Sequence, residues 1–348
     1  MKKLLIKLLK ILGITLLILL IGFIILIFFT GPKLPDNTDA IIEKVLNSKI
    51  PEFVKGESGY VVSDNYKIWY ESITPKDTNK GAILLFMGMA TDALGWPQLF
   101  IDELVGSGYQ VIRYDYRGTG MSDWVENWEQ KPYSLADLAK DAETILDTLK
   151  IREAHLVGLS LGGMVAQEFA IKNADRTLTL TSIMSSGNIV DKELPKVSKR
   201  VAFDFIKVAI KYGIFQSEKN TIKLHLSARV ILRGDAKHDI DVKGTAEQVL
   251  YNLRKRKGYN PNASSQHDEA ANRSDSRYDK LKDLKIPVLI IHGINDPLVP
   301  IEHSRKLAVV IPNSKTKWFN NMGHYLPSNL VDSISKEIIL NISMKTDK

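Results

Sequence analysis

The chain has 348 residues, 25% charged and 44% hydrophobic, an ordinary globular composition that excludes extensive disorder and allows one large domain or two smaller ones. It has no cysteine, which excludes disulfides, cysteine-ligated zinc, iron–sulfur clusters and a cysteine nucleophile. Residues 1–33 contain five of the 47 basic residues and no acidic residue. The rest of the chain has 42 basic and 40 acidic residues, so the net charge of +7 comes largely from the N-terminus and does not indicate nucleic-acid binding.

The first predicted element is a membrane-spanning helix. Residues 11–30 read ILGITLLILLIGFIILIFFT, a run of 20 residues without a charge, which is the length that a helix needs to cross a bilayer. Lysines precede this run and Asp36 follows it, so we predict the N-terminus in the cytoplasm and the remainder in the periplasm or outside the cell. Residues 1–33 are therefore predicted as a single-pass membrane anchor, and residues 34–57 as a linker and lead-in.

A cleaved signal peptide is the alternative interpretation of the N-terminus. Signal peptides have shorter apolar cores, of about 7–15 residues, and small residues at the cleavage site. Here the run ends in Phe28, Phe29 and Thr30, which form a poor cleavage site, so the uncleaved anchor is the prediction.

From residue 58 onward, strand and helix patterns alternate, which is typical of a mostly parallel sheet with helices on both faces. The first part predicts strands at residues 60–62, 68–73, 82–87, 109–114, 155–158 and 178–184, with helices at 96–105, 134–149 and 161–171. After a more polar and more helical stretch, the pattern resumes with strands at 287–291 and 317–319 and helices near 303–310 and after 330. The fold class is therefore α/β, with a core over residues 58–185 and 286–345 and a helical insertion over residues 186–285.

The pentapeptide at residues 158–162 reads GLSLG, a G-x-S-x-G pattern. A predicted strand runs into it and a predicted helix runs out of it, which is the context of a sharp turn that exposes a nucleophilic serine. Only a glycine on each side of Ser160 lets the neighbouring chain pass without a clash. Ser160 is therefore the predicted nucleophile, and a glycine-rich turn without chemistry is the alternative.

A serine nucleophile needs a base, and the base needs a carboxylate to orient it. His324 follows a predicted strand on a short loop, and Asp296 follows the strand at 287–291. The chain order Ser160, Asp296, His324 is the order expected for a triad in this architecture. A capping or surface histidine and an Asp-Pro turn are the alternative interpretations of these two residues. His292, at the end of the same strand, is expected to brace the loop that carries Asp296.

Tetrahedral chemistry also needs two backbone N–H groups that face the developing negative charge. One is expected from Leu161, the residue after the nucleophile. The other is expected from the loop after the strand at 82–87, where Met89 is the best candidate.

Together, these residues resemble those of the α/β-hydrolase superfamily over roughly residues 60–340. Residues 113–122, which read RYDYRGTGMS, resemble the turn that follows the fourth strand of those enzymes. The segments MGMATDALGWPQ, RYDYRGTG and GYNP are similar to the aclacinomycin methylesterase-like subgroup. This resemblance implies an α/β-hydrolase fold and hydrolysis of a carboxylic ester beneath a helical cap.

The residues predict a serine hydrolase that cleaves a carboxylic ester through an acyl-enzyme intermediate, with no cofactor and no metal ion. The same triad would serve an amidase or an acyltransferase, and a catalytically silent, membrane-anchored binding protein is the alternative from another class. The expected partners are a small-molecule ester, with lipophilic esters as candidates because of the anchor, and the membrane. We expect no nucleic-acid partner, and the sequence leaves the oligomeric state open.

Two features of the insertion allow more than one interpretation. Its apolar residues Val201, Phe203, Phe205 and Ile206 either line an acyl pocket or pack against the core. The histidines at 238 and 267 each stand beside an aspartate, but no further ligand has a spacing suited to a metal site.

Overall fold

The computed structural model describes residues 2–344, and the predicted end of the core at residue 345 lies outside them. Within this range the strands form one eight-stranded sheet in the order β1-β2-β4-β3-β5-β6-β7-β8. The strands are β1 (Glu57–Ser63), β2 (Tyr66–Ile73), β3 (Ala82–Phe86), β4 (Gln110–Tyr114), β5 (Ala154–Leu159), β6 (Thr177–Ile183), β7 (Val288–Gly293) and β8 (Lys315–Phe319). The pairs β1–β2 and β2–β4 are antiparallel and the other pairs are parallel, so the predicted mostly parallel sheet is confirmed.

The described residues also form α-helices before, between and after the strands. They are α1 (Lys2–Phe29), α2 (Thr38–Leu46), α3 (Gln98–Gly106), α4 (Leu135–Thr148), α5 (Leu161–Lys172), α6 (Lys199–Gly213), α7 (Glu218–Arg233), α8 (Val242–Lys255), α9 (Ala263–Asn272), α10 (Tyr278–Leu281), α11 (Ile301–Val310) and α12 (Val331–Ser343). Ser134 and Asp137 form a capping box at the start of α4, which fixes where that helix begins.

The core lies on both faces of the sheet. Every residue of β3 is buried, and neighbours along the strand point to opposite sides: Leu84 packs with α4 and α5, whereas Leu85 packs with α3 and α12. A strand covered on both faces reads as a continuous apolar run, which explains the sequence AILLF. Each such side chain contributes about 1.5–3 kcal/mol by leaving water.

Helices α6 to α10 lie in the segment between β6 and β7, and we propose that residues 186–285 form a cap on the core. Helix α2, within the predicted linker at residues 34–57, was not expected from the sequence. It buries Ile42 and Val45 in an apolar cluster with Ile222 and Leu226 of α7 and Val249 of α8. The lead-in is therefore packed against α7 and α8.

Helix α1 is a candidate membrane span by its length and composition, a test that a signal sequence near the N-terminus also passes. Its 28 residues extend about 42 Å, more than the ~30 Å hydrocarbon core. Its apolar side chains are almost all exposed, and only Ile27, near its end, is buried.

Candidate active site

Ser160 lies between the end of β5 and the start of α5, in a strained backbone conformation with φ 57° and ψ −121°. A positive φ at a residue other than glycine costs about 1–3 kcal/mol, and it persists only where the surroundings hold it. Here the Ser160 N–H donates to the Ile183 carbonyl (2.8 Å), and the Ser185 hydroxyl donates to the Ser160 carbonyl (2.7 Å). Both contacts hold the turn against the end of β6 and the residues that follow it.

The two glycines of the G-x-S-x-G pattern are required by close backbone contacts. A Cβ atom on Gly158 would lie 2.2 Å from the Gly162 carbonyl oxygen. A Cβ atom on Gly162 would lie 1.9 Å from the Phe86 carbonyl oxygen at the end of β3. No side chain fits at either position, which agrees with the steric reason for predicting glycine there.

The structure brings the three predicted triad residues into one chain of hydrogen bonds. His324 Nε2 lies 2.9 Å from Ser160 Oγ, and His324 Nδ1 lies 2.6 Å from Asp296 Oδ2. The backbone N–H of His324 also donates to the Leu232 carbonyl at the end of α7 (2.7 Å), so α7 holds the loop that carries the histidine. The geometry is that of a nucleophile, a base and a carboxylate that orients the base.

Asp296 is fixed from several sides. Its Oδ1 accepts hydrogen bonds from the N–H groups of Leu298 and Val299, both at 2.9 Å, and His292 Nε2 lies 3.2 Å from its Oδ2. Burial alone would raise the pKa of this carboxyl, but His324 and His292 outweigh it and hold the pKa well below its ordinary value. Asp296 is therefore ionised beside His324, and His292 braces its loop as expected.

The two residues expected to supply oxyanion N–H groups lie next to Ser160. Leu161 is the first residue of α5, where backbone N–H groups lack partners within the helix. Met89 follows β3 in a loop that passes close to the serine, since a Cβ atom on Gly88 would lie 3.6 Å from the Ser160 Cβ. Met89 and Leu161 line the same cavity as Ser160.

His267 of α9 holds the Met89 loop, a role that the sequence did not indicate. Its Nδ1 accepts a hydrogen bond from the Ala90 N–H (3.0 Å), and Ala90 has a positive φ of 55°. The ring is fully buried against Tyr116 and Tyr133, and burial lowers its pKa to about 4. The imidazole is therefore neutral near pH 7 and available as an acceptor. Within residues 2–344, no group of three or more metal-ligating side chains occurs.

Two cavities flank Ser160. The first, of about 210 Å³, is lined by His324 and by residues of α7 and α8; the second, of about 330 Å³, is lined by Leu161 and by residues of α9. Ser160, Met89 and Leu298 line both. The serine hydroxyl therefore lies between two chambers, with room for a substituent on either side.

The four apolar residues of the insertion that were considered for an acyl pocket line neither cavity. Phe203 and Ile206 point to the exterior on α6, and Val201 and Phe205 are partly covered. Helix α6 packs against α7 and α1 and lines neither cavity, so its apolar face could not be assigned from the sequence alone.

A comparison with known protein families identifies the family of this chain. Residues 81–328 match the family described as alpha/beta hydrolase fold. The chain belongs to the α/β-hydrolase family. The resemblance derived from the sequence is confirmed.

Individual relatives agree with the family assignment. The chain is 30% identical over 286 residues to rhodomycin D methylesterase DnrP of Streptomyces peucetius, a match that covers 77% of this chain and 92% of the relative. Among solved structures, it is similar to an esterase from Exiguobacterium antarcticum (TM-score 0.62, 18% identity, 84% of this chain and 100% of the other). It is also similar to a meta-cleavage product hydrolase from Pseudomonas fluorescens IP01 (TM-score 0.61, 22% identity, 82% and 97%). These structural matches show the shared fold.

We predict that Gly162→Ala destabilises the protein, because the new Cβ would press against the Phe86 carbonyl. Overpacking of this kind lowers the free energy of unfolding by about 1–3 kcal/mol or more. The matched control is Gly106→Ala at the end of α3, where a Cβ atom meets nothing within 4 Å. Urea denaturation of both variants tests this, and equal midpoints would contradict it.

We also predict that His267→Leu destabilises the protein near neutral pH, because the partly buried Ala90 N–H loses its acceptor, at a cost of about 1 kcal/mol or more. His267→Asn, which keeps an acceptor oxygen, should lose less. The pKa of His267 is lowered on folding, so in the wild type its contribution is complete above about pH 6.5 and falls as the pH drops toward 4. Denaturation from pH 4 to 7 should show a shallower pH dependence in the Leu variant, and parallel curves would refute this.

Proposed function

We propose that this chain is a serine hydrolase that cleaves a carboxylic ester. The observation that carries the proposal is the hydrogen-bonded series Ser160, His324 and Asp296 at a strained strand–helix turn. The 30% identity to a methylesterase supports an ester rather than an amide as the substrate.

In the proposed mechanism, Ser160 Oγ attacks the acyl carbon while its proton moves to His324 Nε2. Asp296, ionised and bound to His324 Nδ1, stabilises the imidazolium. The N–H groups of Met89 and Leu161 bind the oxyanion, which is worth several kcal/mol of barrier. The proton passes from His324 to the departing alcohol, leaving the acyl chain on Ser160. Water then attacks the acyl carbon while it gives a proton to His324. The bond to Ser160 Oγ breaks, the acid leaves, and His324 returns the proton to the serine.

The protein is also proposed to be anchored in a membrane through α1, with the N-terminus in the cytoplasm and the remainder outside. The apolar face of α6 supports an attachment to the lipid surface. Four side chains on α6 and just after it are between 41% and 72% exposed: Phe203, Ile206, Ile214 and Phe215. Helix α6 packs beside the end of α1, where Lys211 Nζ donates to the Phe28 carbonyl (3.0 Å). A basic, amphipathic helix of this kind is suited to the membrane interface.

We predict that Ser160→Ala abolishes covalent labelling by a fluorophosphonate and lowers the hydrolysis of 4-nitrophenyl esters by a factor on the order of 10⁴ or more, because the nucleophile is lost. His324→Ala should have the same effect on labelling. Ser276→Ala, at an exposed serine, is the control and should label like the wild type. A wild-type protein that is folded but neither labels nor turns over would favour the silent binding protein.

We predict that the chain from residue 34 onward still binds vesicles containing anionic lipid, through the apolar face of α6. Ile206→Asp combined with Phe215→Asp should reduce the vesicle-bound fraction by about tenfold or more, because each change removes apolar contact and adds negative charge. Val309→Asp is the control: Val309 is 85% exposed but lies on α11. Cosedimentation measures the binding, and an equal loss in the control would contradict the assignment to α6.

A further inference from the structure

Arg229 of α7 lines the same cavity as Ser160 and His324. It lies on the side of the helix that also carries Ile222 and Leu226, both of which are fully buried. A cation within an apolar helix stripe and at the wall of a cavity is unusual, since arginine is seldom buried without a partner.

The guanidinium of Arg229 has few partners. Its Nη2 donates to Gln248 Oε1 (3.1 Å), and the Gln248 amide in turn donates to the Leu94 carbonyl (2.5 Å). Among residues 2–344, no carboxylate lies within 4 Å of Arg229, whereas a guanidinium has five N–H donors. Most of its hydrogen-bonding capacity is therefore unused by the protein.

Four arginines whose side chains are at most 4% exposed differ in this respect. Each of them forms an ion pair with a carboxylate: Arg113 with Glu71, Arg117 with Asp141, Arg256 with Asp115 and Arg277 with Glu168. Arg233, one turn further along α7, has no carboxylate partner among residues 2–344 either, but it does not line the cavity. A buried charge without a counter-ion costs several kcal/mol, which is why such pairs are the rule. Arg229 is partly buried, has no such pair, and lies at the wall of the cavity beside the nucleophile.

The other polar groups around Arg229 do not neutralise it. Burial, together with the nearby Arg229 charge, lowers the pKa of His225 to about 4, so its ring is neutral near pH 7. Tyr259 and Tyr325 line the cavity with pKa values raised by burial, so they are neutral as well. Burial lowers the pKa of Arg229 itself, and the opposing effects of Tyr325, Asp241 and Tyr259 do not offset it.

Two carboxylates lie in the wider surroundings and are already engaged. Asp92 lines the cavity, but its Oδ2 lies 3.4 Å from Arg256 Nη1 and its Oδ1 accepts the Leu94 N–H. Asp241 is exposed at the start of α8, where its side chain caps the helix by accepting the Gly244 N–H (2.8 Å). The missing counter-ion of Arg229 is therefore not supplied by this part of the chain.

We infer that Arg229 binds a carboxylate of the substrate, so that the substrate is an ester that carries a second, ionised carboxyl group, such as a half-ester of a dicarboxylic acid. The planar guanidinium fork matches a carboxylate in a bidentate geometry. Apolar groups of Met87, Trp96 and Leu326 in the same cavity would contact the short chain between the two carboxyl groups. The inference rests on the proposed ester hydrolysis and names its substrate class.

The test compares pairs of esters that differ only in charge, on the full-length protein in detergent. In the first pair the acyl part ends in a carboxylate or a carbamoyl group: mono-4-nitrophenyl glutarate and 4-nitrophenyl 4-carbamoylbutanoate. In the second pair the alcohol part carries the difference: butanoyl esters of 4-hydroxybutanoate and 4-hydroxybutanamide, followed by titration of the released acid. The readout is the ratio of kcat/KM within each pair, which a general loss of folded protein leaves unchanged.

We expect the wild type to prefer the carboxylate in one of the pairs by about 10- to 100-fold, the range for hydrogen bonds to a charged group. In Arg229→Gln this ratio should fall to near one, and Arg229→Lys should keep part of it. Arg233→Gln is the matched control, because Arg233 lies one turn further along α7 and does not line the cavity. It should retain the wild-type ratio.

Three outcomes would overturn the inference. The first is a wild-type ratio near one, or one favouring the carbamoyl ester, in both pairs; the second is an equal ratio in Arg229→Gln and the wild type. Either result, with the carbamoyl esters hydrolysed and Ser160 labelled by a fluorophosphonate, refutes the role of Arg229 and leaves the proposed ester hydrolysis standing. The third is a folded protein that neither labels nor turns over any of the four esters, which refutes both.

Discussion

The site depends on one backbone contact, the approach of the first turn of α5 to the end of β3. With the Gly162 Cα this close to the Phe86 carbonyl, the helix begins directly above the sheet edge, and Ser160 is forced into its positive φ. The same contact brings the loop after β3 alongside the serine. A single packing constraint thus fixes the nucleophile, the first N–H groups of the helix and the Met89 loop relative to one another.

The segment between β6 and β7 is joined to the loops beside Ser160 by main-chain contacts as well as by side chains. The end of α7 accepts the His324 N–H, and Gly323 is required because a Cβ atom there would lie 2.2 Å from the Leu232 carbonyl. Helix α9 holds the Met89 loop through His267. The loops that carry His324 and Met89 are therefore both held by helices of the segment between β6 and β7, so that this segment and the sheet meet around Ser160.

Sequence reasoning predicted most of the core and the meeting of Ser160, Asp296 and His324, because strand periodicity and the glycine spacing are local signals. It missed α2, since nine residues with three buried positions, only two of them apolar, show little periodicity. It also missed the role of His267, because its partner Ala90 lies 177 residues away, and the position of Arg229, because distant segments of the chain form the cavity wall. The spacing of Ile222, Leu226 and Arg229 does place a charge in an apolar helix stripe, which was the one available signal. The exposure of the α6 face depends on tertiary packing, which no sequence pattern specifies.

The packing of α2 against the cap has a consequence for how the protein would operate at a bilayer. Only the residues between α1 and α2 remain as a tether, and a segment of about eight residues reaches at most ~28 Å. With α1 in a membrane, the two chambers beside Ser160 are confined to a thin layer above the lipid. The enzyme would then meet a membrane-bound substrate by diffusion in the plane of the bilayer. The rate of encounter would depend on the number of substrate molecules per unit of membrane area.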